Sequence, residues 1–265
     1  MNGARVAPHT AVSILSLLGP PVPGTGRDYP LPMEHVVLVP SLGRPGSDFD
    51  LLSGALRDAR FDPVAIEPRP RFPGSPNLHD LALDTVQRID EMGIDRFHLV
   101  GHAFGNRLSR CITADFPGRV LSLTLLAAGG LVEPEPGIWH ALFSCFDPSL
   151  SDADHLDAVR TAFFAEGNDP KVWRDGWYPE VMKYQSGAVG STPREDWWSA
   201  TVPRVLVVQA LQDAIAPVGN GRRYRDESAP HAQLVEISGA GHAMLPEQPE
   251  AIASAVVGFL RGHHA

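Results

Sequence analysis

Short apolar runs recur along the chain between segments whose apolar positions repeat every three or four residues. The runs are Val36 to Val39, Pro63 to Ile66, Phe97 to Val100, Leu121 to Leu126, Val205 to Val208 and Gln233 to Ile237. Continuous rather than alternating apolarity marks strands covered on both faces, so the pattern predicts an α/β domain with a mostly parallel sheet flanked by helices. Between the runs, Leu78, Ala82, Val86 and Ile89 form one helical stripe, and Ile252, Val256, Phe259 and Leu260 form another behind Pro249. Ser47-Asp48-Phe49-Asp50 predicts a helix start, with Ser47 as the side-chain cap and an acid three residues on.

One stretch breaks this rhythm. From Leu131 to about Ala200 there is no strand signal, Pro and Gly are frequent, and every Trp of the chain is present. It predicts a helical insertion, a lid over residues 131–200, closing above a core domain made of 1–130 and 201–265. Open α/β sheets keep their sites at the carboxyl ends of the strands, where such a lid would sit. Its aromatic residues predict a small, largely uncharged, apolar or aromatic ligand.

The formal charge of −9 gives no general field for nucleic acid or acidic membrane surfaces, so neither is an expected partner. The basic cluster Arg222-Arg223-Tyr224-Arg225 runs straight into Asp226-Glu227 and is expected to be a solvated helix face. Two cysteines, Cys111 and Cys145, make neither a disulfide framework nor a zinc site, which fits a reduced, cytoplasmic setting. The apolar stretch Ala11 to Leu18 after Arg5 is short and interrupted by Ser13 and Ser16. A peripheral strand or helix is expected there rather than a signal peptide. No phosphate-binding glycine loop or His/Glu metal spacing is present, His263-His264 is a tail, and no cofactor is implied.

The strongest chemical signal is Gly101-His102-Ala103-Phe104-Gly105, placed between the strand ending Leu99-Val100 and a helix containing Leu108, Cys111 and Ile112. Two glycines flanking a central residue suit a strained strand-to-helix turn, where a Cβ on either would collide with its neighbours. Further motifs follow in order: Val36 to Gly43, Glu67-Pro68-Arg69, Val205 to Asp213 with Ala214 to Pro217, and Gly239-Ala240-Gly241-His242 with Pro246 and Pro249 beyond. On these motifs the chain resembles the α/β-hydrolase superfamily over nearly its whole length.

The resemblance implies that Asp213 orients the imidazole of His242 as general base and acid, and that the N–H groups of Leu42 and Phe104 form an oxyanion hole. Ser41, His102, Trp139 and Trp177 are the expected pocket residues. His35, His79, His98, His140 and His231 are expected to be structural, and Glu67, Arg69 and Asp84 to be cap or ion-pair partners. The chain departs from the pattern at the turn itself, where Ala103 has no group that can attack a substrate. Neither Cys111 nor Ser41 is placed to substitute. Three readings stay open: a Ser-to-Ala change trapping an ester or lactone hydrolase; a native general-base enzyme using His242 and Asp213; and a pseudoenzyme that only binds a small molecule. The superfamily includes lyases and cofactor-independent dioxygenases, which gives the second reading precedent by resemblance.

Overall fold

The computed structural model describes residues 33–262; the segment expected at 11–18 and the terminal histidines lie outside the described residues. Among the described residues, six strands form one sheet: β1 (His35–Val39), β2 (Asp62–Ala65), β3 (Phe97–His102), β4 (Val120–Leu126), β5 (Val205–Ala210) and β6 (Gln233–Ile237). Their order is β2-β1-β3-β4-β5-β6, and every pairing is parallel. Each begins within a residue of the apolar run that predicted it. The predicted cover on both faces fails at the two edges, where β2 and β6 are mostly half-exposed or exposed.

Period-two alternation divides the core. Val37 and Val39 of β1 pack with α2 (Leu78–Glu91) and α3 (Phe104–Asp115), while Val36 and Leu38 pack with α1 (Asp50–Asp58) and α9 (Pro249–Arg261). Burying a Val or Leu fully contributes roughly 1.5–3 kcal/mol, so the two layers fix the register of the central strands. The stripe residues Leu78, Ala82, Val86 and Ile89 are all buried, behind a capping box that Asn77 and Asp80 form.

The connection between β4 and β5 holds α4 (Pro136–Ser144), α5 (Asp152–Phe163) and α6 (Pro179–Ser191), with two short 3-10 turns. After β5 come α7 (Gly219–Glu227) and α8 (Met244–Glu247). The expected Ser47 cap is not made: a 3-10 turn over Gly46–Phe49 precedes α1, with no side-chain cap on either. The Gly46 N–H instead donates to Glu67 Oε2 at 2.8 Å, so a distant carboxylate does the capping. The expected Arg69–Asp84 ion pair forms at 2.7 Å. The chain runs outward from β1 to β2 and returns to β3, and the strand order reverses beside β1 and β3. The crevice at their carboxyl ends is where a ligand site belongs.

Candidate active site

Ala103 links β3 directly to α3 with φ +53° and ψ −110°, a conformation that L residues rarely adopt. Its surroundings hold it there. A Cβ on Gly101 would meet the Gly105 carbonyl and Ser109 Oγ, and one on Gly105 would meet the carbonyls of Val39 and Pro40. The Ala103 N–H donates to Leu126 O at 3.0 Å, and Asn106, fully buried, donates to Ala127 O at 2.8 Å. Strain of this kind persists only where neighbours over-determine it, and here β1, β4 and α3 all do.

Facing this turn is His242, on the loop between β6 and α8. Its Nδ1 lies 3.0 and 2.9 Å from the two carboxylate oxygens of Asp213, on the loop after β5. Asp213 Oδ1 also accepts from the N–H groups of Ile215 and Ala216 at 2.9 and 2.7 Å, so the carboxylate is buried but hydrogen-bonded. An acidic partner on Nδ1 selects the tautomer with the proton there, leaving Nε2 with its lone pair.

Ala103 and His242 line one cavity of about 240 Å³ together with Ser41, Leu42 and Phe104. Its walls are mostly apolar: Trp139, Leu142 and Phe143 from α4, Phe163 from α5 and Val189 from α6. The Leu42 and Phe104 N–H groups meet no protein acceptor among the described residues. Such a space, mostly apolar with a few convergent polar groups, has the character of a small-molecule site.

The comparisons with known proteins agree with this architecture. Residues 36–255 match the model of the alpha/beta hydrolase family. The chain belongs to that family. Two curated relatives are the dihydrolipoyllysine-residue acetyltransferase component of an acetoin cleaving system from Pseudomonas putida, 26% identical, and RutD of Caulobacter segnis, named for carbamate hydrolysis, 25% identical. The alignments take in 71% and 72% of this chain, but 51% of the first relative's length and 75% of the second's. The enol-lactonase from Burkholderia xenovorans LB400 superposes with a TM-score of 0.70 over 86% of this chain and 91% of its own, at 20% identity, which shows the shared fold.

Within this alpha/beta hydrolase framework, two expected pocket residues lie elsewhere. His102 does not line the cavity: it is fully buried, and its Nε2 donates to the main-chain oxygen of His242 at 2.8 Å. Trp177 packs edge-on against Phe146 and Phe163, behind the cavity wall. Trp197 and Trp198 join the core on the α3 and α7 side, against Arg110 and Tyr224, so the aromatic richness of 131–200 serves packing as well as the cavity. His79 pairs with Asp115 at 2.9 Å and His231 Nε2 donates to Val202 O at 2.8 Å, both outside the cavity lining. Cys111 and Cys145 are buried, and burial pushes both thiols upward, Cys145 to about 12.

Several residues that position the site carry no sequence motif. Arg44 is sandwiched between Trp173 and Trp177, 4.3 and 4.5 Å from the ring centres, and donates to both Asp48 oxygens and to Asp175 O. Gln185 of α6 accepts from the Gly43 N–H at 2.8 Å, and the Tyr178 N–H donates to Gly43 O. These contacts fix the turn that carries Leu42 to the helical segment. On the opposite side, Glu247 accepts from Gly241, Ala165 and Asn168, joining the histidine loop to the end of α5.

Proposed function

We propose that this chain is a cofactor-independent enzyme acting on a small, apolar or aromatic molecule, with His242 as general base, Asp213 as its orienting partner and no nucleophile on the protein. The observation that carries the reading is the His242–Asp213 hydrogen-bond pair on a cavity whose strained turn presents only the Ala103 methyl. Where a serine hydroxyl would stand, a substrate C–H or a water can approach His242 Nε2 directly. The paired N–H groups of Leu42 and Phe104 are placed to stabilise the oxyanion or enolate that proton removal creates. The helical segment 131–200 acts as a lid, keeping water from that charge.

The intact hole and dyad also favour a second reading, a serine hydrolase whose nucleophile has been replaced. The discriminating experiment is proton exchange from D2O into a panel of aryl-substituted carbonyl acids, esters and lactones, read by mass spectrometry alongside hydrolysis. The general-base reading expects turnover of at least one compound by the Ala103 protein and its loss in His242→Ala. Absence of any His242-dependent exchange or hydrolysis across the panel, with ester cleavage appearing only in Ala103→Ser, establishes the second reading instead.

A further inference from the structure

Among the described residues, the cavity lining carries one fixed charge. Arg107 lies four residues after Ala103 on α3, one turn along the same helix face, and lines the cavity with Ala103 and His242. Among the described residues it makes no hydrogen bond and no ion pair. Its contacts are a ring face, Trp197 at 5.7 Å, and the exposed Glu133, which acts on it only through space. Arg107 is half-buried, whereas the two fully buried arginines are held by the protein. Arg44 has Asp48 and the Asp175 carbonyl, and Arg110 has Asn106 Oδ1 and the Gly129 carbonyl.

Two features of the Arg107 setting favour an anion beside it. Burial of its inner part pulls the guanidinium below the usual arginine range. It also sits in the first turn of α3, where the helix dipole disfavours a cation. An anion in the cavity offsets both, and it would bond in two-pronged fashion to the planar guanidinium.

We propose that Arg107 makes this cavity a monocarboxylate-binding site, gripping the carboxylate while the Trp139, Leu142 and Phe143 wall holds an aryl or alkyl body. The inference rests on the cavity being the substrate site and departs from the expectation of a largely uncharged ligand. A single guanidinium matches a single negative charge, and the lining offers no second arginine or lysine among the described residues for a phosphate monoester. Ser41 and Ser186, also on the lining, supply hydroxyls for a neighbouring carbonyl. With the carboxylate at Arg107, the carbons next to it lie above Ala103, within reach of His242.

The test is calorimetric binding of 3-phenylpropionate and of 3-phenylpropionamide to the full chain and to Arg107→Gln, Arg107→Lys and His242→Gln. The expected result is an acid-over-amide preference of about tenfold or more in the native chain and in His242→Gln. The preference should disappear in Arg107→Gln and persist in part in Arg107→Lys, with thermal melts verifying that each variant is folded. Equal binding of acid and amide, a preference that survives Arg107→Gln, or no binding of the acid overturns the proposal. Loss of the preference beside retained His242-dependent turnover fails only the carboxylate site. A clear preference without any such turnover fails only the general-base reading.

Discussion

The Nε2 of His102 donates its proton to the main-chain oxygen of His242 at 2.8 Å, so the residue before the Ala103 turn holds the histidine loop by its backbone. The two ring centroids lie 5.5 Å apart, and that of Trp173 lies 6.2 Å from His102. Burial, and after it the adjacent His242, pulls the His102 pKa down to about 3, so the ring is neutral and carries its one proton on Nε2.

That neutral histidine makes stability pH-dependent with a definite sign. The folded pKa of His102 lies below the ordinary 6.5, so between about 6.5 and 3 the unfolded chain binds more protons than the folded one. Its contribution is fully present above that window and is lost as pH falls through it, at up to ~1.4 kcal/mol per pH unit. Urea melts at several pH values should show a shallower acid-side decline for His102→Gln than for the native chain, from a lower starting stability.

Arg44→Met should destabilise the fold by about 3–5 kcal/mol, because it leaves the Asp48 carboxylate buried without its partner. Asp48 already has its pKa raised by burial even with Arg44 beside it. The double variant Arg44→Met, Asp48→Asn should recover much of the loss in a thermal melt. A double variant no better than the single would place the cost in the lost stacking between Trp173 and Trp177.

Gly105→Ala should cost about 3 kcal/mol or more, since the added methyl would press on the carbonyls of Val39 and Pro40 and β1 cannot yield without opening the sheet. Gly187→Ala on α6, where a Cβ meets nothing within 4 Å, is the matched control and should be neutral or slightly stabilising in the same denaturation series.

The sheet was legible because parallel strands buried on both faces are written as unbroken apolar runs, and Val36 to Val39 or Val205 to Val208 admit few other readings. The half-exposed β6 carries the same run as an edge strand, since a run records strand character but not which neighbours cover it. The pairing of His242 with Asp213 followed from the family resemblance, and the geometry brings them to 2.9 Å. What local pattern could not supply was direction. Ser47 lost its capping role to Glu67, which takes the N–H of Gly46 twenty-one residues before it. Trp177 turned toward Arg44, and His102 turned toward the backbone of His242. Arg107 stood in plain view four residues after Ala103, and its signal was the helical spacing that puts both on one face.

The central claim is that proton removal by His242 needs no nucleophile at position 103. Its most direct test is a side-by-side measurement of 4-nitrophenyl ester cleavage and of His242-dependent turnover of carbonyl acids by the native chain and Ala103→Ser. The account predicts that the native chain carries out the His242-dependent turnover, while the added hydroxyl lowers it and raises ester cleavage by no more than about tenfold. Restoring a missing nucleophile to a waiting base changes a rate by several orders of magnitude. An inert native chain beside an Ala103→Ser variant that cleaves esters about a thousandfold faster would contradict the account.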